Sequence, residues 1–231
     1  GLPAVVTIVL ALGMQRMVKH NSIMKRLHAV ETLGSTTVIC SDKTGTLTQN
    51  QMTAVKMYVP GIVVSISGEG YAPRGELTAG GAKVDMTAEP AMHRAMEIMA
   101  LCNDSRLESE KAEGSELWKI AGDPTEGAMI VAAAKVGMDK TSMNLRQPRL
   151  QEIPFDSQRK LMTTYHKNEK GELMGYTKGA PDILVNLCSR IMRRDGRIES
   201  ITAQDVETIL AENKALASQA LRVLAMAFKP V

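Results

Sequence analysis

The sequence predicts an α+β fold, an antiparallel sheet with flanking helices, entered through a short stretch of parallel-sheet character. Three observations carry this. Strand candidates follow one another at residues 150–155, 161–166 and 173–177, with "NEKG" turning between the last two. Helical periodicity recurs in separate segments, each bounded by capping residues or Gly. Before all of these, "STTVICSD" reads as a β-branched strand, apolar through Val38, Ile39 and Cys40, as a strand covered on both faces would be.

The elements are taken in chain order. "LPAVVTIVLALGM" is uniformly apolar but shorter than the roughly 20 residues that cross a bilayer. Its basic residues, Arg16, Lys19, Lys25 and Arg26, come after the apolar run, which is the wrong order for a signal peptide and suits the cytoplasmic end of a membrane helix. The alternative is a buried core helix. The chain opens at Gly1 without a Met and is expected to be a fragment. "NSIMKRLHAVETLG" places Ile23, Leu27, Val30 and Leu33 on one helical face over 21–34. Asp42 then falls just past the carboxyl end of the expected parallel strand, the edge at which open α/β sheets hold ligands.

After Thr53 the pattern changes. "VKMYVPGIVVSISGEGYAPRGEL" reads as strands and loops, and 89–102 as a helix with Met92, Ala95, Met96 and Met99 at helical spacing. "NDSRLESEKAEGSE" is expected to be a solvated loop. Asp123 should cap a helix that begins on Pro124 and closes at Gly137. Helices are expected at 181–191 and 203–220, the latter with Thr202 and Asp205 as a capping box, and "LRVLAMAF" as a last strand.

Composition narrows the function classes. A net charge of +3 over 231 residues, without a basic stripe interleaved with aromatics, argues against a nucleic-acid partner. The three cysteines, Cys40, Cys102 and Cys188, lack CxxC spacing and read as reduced, buried thiols. The four histidines are scattered and form no ligand cluster. No GxxxxGK[ST] run exists, so a P-loop is excluded.

One string stands apart. In Asp42-Lys43-Thr44-Gly45-Thr46-Leu47-Thr48 a carboxylate sits beside a lysine, hydroxyls and a glycine turn. A carboxylate can attack a phosphorus and split one difficult transfer into two steps. Such attack by an anion on an anion needs the positive charge and donors that Lys43, the threonines and the backbone N–H groups offer. This string resembles the phosphorylation signature of P-type ATPases, the ion-pumping membrane ATPases. "GEGYAPRGE", "CNDS", "GDPTEGA", "PFDSQRKLM", "YTKGAP" and "LRVLAMA" follow in that family's order, and "GLPAVVTIVLALG" resembles part of its fourth transmembrane helix.

The resemblance implies a membrane-helix stub at 1–17, a connector with the first strand of a Rossmann-like, haloacid-dehalogenase-type phosphorylation domain at 18–50, and a nucleotide-binding domain at 51–229. It implies ATP and Mg²⁺ as cofactors, with Asp42 as the phosphorylated residue, Lys43 and Thr44 beside it, and Mg²⁺ on Asp42 and the Thr44 carbonyl. It implies nucleotide contacts from Thr125, Glu126, Phe155, Lys160, Lys178, Gly179 and Arg222, with the Phe155 ring stacking on adenine. Related phosphatases carry a second Asp two positions after the nucleophile; here that residue is Thr44, which suits a long-lived phosphoenzyme. Ser157 stands where some relatives have Arg. The implied parent is an integral membrane pump of the bacterial plasma membrane whose segment here faces the cytoplasm, with Ca²⁺ as the expected cation. Segments of the TGD and GDGxND type are not in this sequence, so the chain is expected to bind nucleotide without turnover. A monovalent-cation or H⁺ pump and a non-catalytic nucleotide-binding module are the alternatives.

Overall fold

The computed structural model describes residues 1–112 and 115–231, which divide into two compact units, Gly1–Gln49 and Asn50–Val231. In the first unit, α1 (Leu2–Lys19) has no buried residue, and Leu2, Ile8 and Val9 are all exposed. Its 18 residues, with mean hydropathy 1.4, are long and apolar enough to cross a membrane. The buried-helix alternative is therefore not what the chain adopts. The helix expected over 21–34 shrinks to α2 (His28–Gly34), and Asn21, with a left-handed φ of 58°, ends the continuity with α1.

The expected strand at "STTVICSD" does not form. Val38 to Cys40 is unpaired, and Val38 and Ile39 are 75% and 88% exposed. A parallel strand exists only through ladder bonds and cover from neighbours, and no described strand pairs with this one. Cys40 is accordingly exposed rather than buried; Cys188 is half-buried, and only Cys102 is buried.

The second unit is α+β, as expected. Strands β1 (Lys56–Val59), β2 (Ile62–Ile66), β3 (Leu77–Ala79) and β4 (Ala82–Lys83) form one antiparallel sheet in that order. The helix α3 (Pro90–Leu101) lies between this sheet and a second one. Its Met92, Met96 and Met99 pack on Val64, Ile66 and Leu77, while Ile98 and Leu101 pack toward Met162, Met174 and Tyr176. The second sheet has the order β12 (Ala225–Pro230), β9 (Leu173–Gly179), β8 (Leu161–Lys167), β7 (Arg149–Asp156), all antiparallel.

The stretch expected as a loop is instead a hairpin, β5 (Arg106–Ala112) and β6 (Ser115–Ala121), whose residues 113–114 lie outside the described ones. Its polarity is one-sided. Glu110 and Lys119 form an ion pair at 2.6 Å, whereas Leu107 and Ile120 pair across the strands. Ile120 packs on Gly127 of α4 (Pro124–Lys135), the helix capped by Asp123 as expected. A short helix unmarked in the sequence reading, α5 (Lys140–Arg146), follows with Asp139 as its cap.

The helix expected at 181–191 reduces to α6 (Pro181–Leu184) and one 3₁₀ turn, followed by a hairpin of β10 (Arg190–Met192) and β11 (Ile198–Ser200). Arg193 stabilises this hairpin by bonding Glu199 at 3.0 Å and Asp205 at 2.6 Å, contacts distant from helical i,i+4 spacing. Finally α7 (Ala203–Ala217) opens with the expected Thr202–Asp205 capping box.

Candidate functional site

The Asp42 turn is built from its own residues. Asp42 Oδ1 accepts the Thr44 N–H at 3.3 Å, and the Lys43 carbonyl accepts from both the N–H (3.1 Å) and hydroxyl (3.3 Å) of Thr48. Gly45 sits at φ 76°, a conformation that a side chain would strain. Every residue from Asp42 to Thr48 is exposed. Asp42 is thus an open carboxylate just ahead of a tight wide-turn loop, not a residue on a strand end. Among the described residues no cluster of three or more His, Cys, Asp or Glu exists that could hold a metal. One carboxylate and the neighbouring carbonyl nevertheless fit Mg²⁺, which keeps several waters and takes its remaining ligands from phosphates.

In the second unit the other candidates gather at the first turn of α4. Lys178, at the end of β9, points its ammonium onto Glu126 Oε1; its side chain is 8% exposed and that of Glu126 14%. The other carboxylate oxygen of Glu126 accepts the N–H groups of Asp104 and Ser105 at 2.8 and 3.0 Å. Glu126 is therefore more than a first-turn partner of the helix dipole. Its neighbour Thr125 accepts at Oγ1 from Arg222 Nη1 at 2.9 Å. Four of the implied nucleotide contacts thus meet within two adjoining pairs.

The remaining three lie on β7, in the β7–β8 turn and at the end of β9. Phe155 is 62% exposed on the edge strand β7, with its ring free to receive a flat partner. Lys160 is exposed and takes a left-handed φ of 54° in the β7–β8 turn, where its N–H donates to the Asp156 carbonyl at 2.6 Å. A Cβ on Gly179 would lie 2.2 Å from the Lys160 carbonyl oxygen, which also accepts the Ala180 N–H at 3.1 Å. The close approach that requires glycine here is therefore between β9 and that turn.

Two cations that sequence reasoning missed hold the "CNDS" segment from below. Lys140 donates to the carbonyls of Asn103 and Ser105 at 2.5 and 2.7 Å, and Arg149 donates to the Asn103 carbonyl at 2.6 Å and to Asp104 at 2.6 Å. Burial, with help from the Arg149 charge, pulls the Lys140 ammonium down to about 8. Asn103 completes the set by donating to the Glu126 carbonyl at 2.9 Å. Only the lone hydrophilic string "CNDS" marked this node in the sequence; its cations lie 35–46 residues downstream. The site is an open face. A concavity of about 620 Å³ at Pro60, Glu89 and Arg193 is lined by none of the seven nucleotide candidates.

The family described as P-type ATPase, cytoplasmic domain N, matches residues 91–231, which include every one of the seven nucleotide candidates. The chain belongs to the P-type ATPases. It is 41% identical over 231 residues to a calcium-transporting ATPase of Bacillus subtilis, aligned along 100% of this chain and 25% of that protein. It is 42% identical over 236 residues to the cation-transporting ATPase pma1 of Synechocystis sp., again along 100% of this chain and 25% of that protein. Calcium-transporting ATPase 1 of Lactococcus lactis is 42% identical over 230 residues. The chain spans about a quarter of the length of these curated relatives.

Proposed function

We propose that this chain is the ATP-binding and phosphorylation-site segment of a cation-transporting P-type ATPase. The observation that supports it best is the meeting of Thr125, Glu126, Lys178 and Arg222 at one helix start, in a chain whose sequence also carries the Asp42 string.

Each residue has a defined task in this reading. The Phe155 ring is exposed and stacks on the adenine. The Glu126–Lys178 pair, fixed by the Asp104 and Ser105 amides, presents a rigid polar wall beside it. Arg222, on the surface, reaches phosphate oxygens with a guanidinium fork suited to them. Asp42 then attacks the γ-phosphorus through one carboxylate oxygen; that P–O bond forms as the bond to the bridging β–γ oxygen breaks, and ADP leaves. Lys43 and the backbone N–H groups of the Gly45 turn offset the charge that builds on the transferring group. Mg²⁺, held by Asp42 and the Thr44 carbonyl, would supply the remaining charge neutralisation. The absence of an acid at Thr44 leaves the aspartyl phosphate without a nearby general acid/base, which favours an accumulating phosphoenzyme. Because relatives from several bacteria are named as calcium-transporting ATPases, Ca²⁺ is the proposed cargo.

The test is a calorimetric titration of ATP into the chain, with Phe155→Ala and Arg222→Ala in parallel. Both side chains are exposed, so their loss should leave the fold intact. Weak binding that is lost or reduced in both variants supports the reading. Saturable binding unaffected by either variant, or none at all to the folded chain, overturns it.

A further inference from the structure

The segment that leads out of the Asp42 turn enters the second unit beside the candidate nucleotide site. Asn50, at the unit boundary, takes a left-handed φ of 52°. Two residues later Met52 is half-buried, and its Sδ receives the Thr125 hydroxyl at 3.4 Å. The same Thr125 oxygen is the acceptor of Arg222 at 2.9 Å. Tyr71 lies in the loop after β2. Burial pushes its phenol up, while the Met52 backbone amide opposes the rise and Asp123 adds to it. A Cβ on Gly70 would stand 3.6 Å from Gln51 Oε1, so the loop also lies against the residue before Met52.

From this arrangement we infer that Met52 and Tyr71 are positioning residues: with Thr125 and Arg222 they form a clasp through which occupancy of the nucleotide site is felt by residues 50–54. The inference rests on the proposed nucleotide reading for its trigger, and on the observed contacts for its linkage. The physical chain is short. A thioether is a weak acceptor, so its bond to Thr125 depends on how strongly that hydroxyl is polarised. Arg222, donating to the same oxygen, polarises it, since hydrogen bonds in series strengthen one another. When Arg222 turns to a phosphate, Thr125 becomes a poorer donor and Met52 is released. The loop that carries Tyr71, packed at Gly70 against Gln51, then remains beside the segment. Nucleotide binding thereby loosens the connection to the Asp42 turn, giving the attacking carboxylate freedom to be brought to its target. Met52 and Tyr71 touch no reacting atom in this scheme.

The experiment is amide hydrogen exchange across residues 50–54, read in the wild-type chain and in Arg222→Ala, Thr125→Val and Tyr71→Phe, with the Met52 methyl resonance followed by NMR and assigned through Met52→Leu. Without nucleotide, Arg222→Ala and Thr125→Val should each lose protection at residues 50–54, by about fivefold at the low end of usual couplings, and move the Met52 methyl in the same direction. Saturating ATP should do the same to the wild type and add little to Arg222→Ala. Tyr71→Phe should exchange faster in both conditions while its ATP affinity is unchanged. A Met52 segment indifferent to Arg222→Ala, in a chain whose circular dichroism is native, overturns the clasp. So does ATP that titrates normally yet leaves Met52 unmoved. If ATP does not titrate at all, the nucleotide reading and the trigger fail together. The unliganded Arg222→Ala comparison still decides whether the linkage exists.

Discussion

The Asp42 turn and the Glu126–Lys178 node both gather charged groups, but they are held in opposite ways. The turn is closed by bonds between residues at most five apart, and all of it is exposed. The node joins segments 21–52 residues apart and is nearly closed to solvent. The first leaves its carboxylate open to solvent; the second desolvates its charges and pairs them. Under the proposed function the two demands differ in kind: one group would meet a phosphorus, whereas the other would keep its shape while ligands come and go.

The comparison breaks most visibly at Glu126. Glu126→Ala strands the Lys178 ammonium in an 8% exposed site and leaves the Asp104 and Ser105 N–H groups without their acceptor. Removing one partner of a buried pair typically destabilises by about 3–5 kcal/mol. Urea unfolding should show a loss of that order. Lys178→Met should lose less, about 1–3 kcal/mol, because Glu126 keeps both amide donors. If the two variants are equal, the amides contribute nothing and the node is a simple ion pair.

Gly179→Ala tests the same region through packing. Its new Cβ would meet the Lys160 carbonyl at 2.2 Å and Leu161 Cα at 3.0 Å, both backbone atoms that cannot rotate away. A loss of about 1–3 kcal/mol is expected on unfolding, with Lys160 displaced from its left-handed turn. No change would mean that β9 and the β7–β8 turn can separate freely.

A smaller effect follows from His166, buried behind the node. Its Nδ1 meets the Gln147 carbonyl and its Nε2 the Thr164 hydroxyl, each at 3.0 Å. Burial, reinforced by Arg149 and Lys140 and only partly opposed by the Gln147 bond, holds its pKa below the ordinary 6.5. Between that depressed value and 6.5 the unfolded chain carries a proton that the folded chain refuses. Stability contributed by neutral His166 is therefore complete above pH 6.5 and is lost as pH falls below it. Unfolding free energies measured from pH 7.5 downward should decline, and His166→Gln should flatten that decline. A decline of equal slope in the variant would assign it to other groups.

Legibility in the sequence followed the range of the interactions. Caps at Asp123 and Thr202 are local, and both are where the sequence places them. The meander of β7, β8 and β9 follows from turn residues and alternation within about 30 residues. By contrast the β5–β6 hairpin is hidden in the sequence, because its Glu and Lys residues look like a solvated loop until Glu110 pairs with Lys119. "VICSD" misleads in the other direction, since an apolar β-branched run needs neighbours before it is a strand. At the site, family motifs pointed to Thr125, Glu126, Lys178 and Arg222. Nothing local could have announced Lys140 and Arg149, whose role is to bond carbonyls of a segment 35–48 residues earlier.

The smallest expected effect sharpens the comparison most. Asp42→Asn keeps the shape of the side chain and leaves an oxygen able to accept the Thr44 N–H, so the turn should persist. Because Asp42 is exposed and bonded only to its near neighbours, the urea midpoint of the second unit should not move. ATP affinity should also hold, since the candidate contacts to the nucleotide lie in residues 125–222. What should vanish is acyl phosphate at position 42 when Mg-ATP is supplied to a full-length pump carrying this substitution, because an amide is no nucleophile toward phosphorus. Stability and binding unchanged, with phosphorylation abolished, would show that chemistry and scaffold are separable here. A shifted unfolding midpoint would show that the open carboxylate also supports the fold, and the division of labour between the two regions would fall.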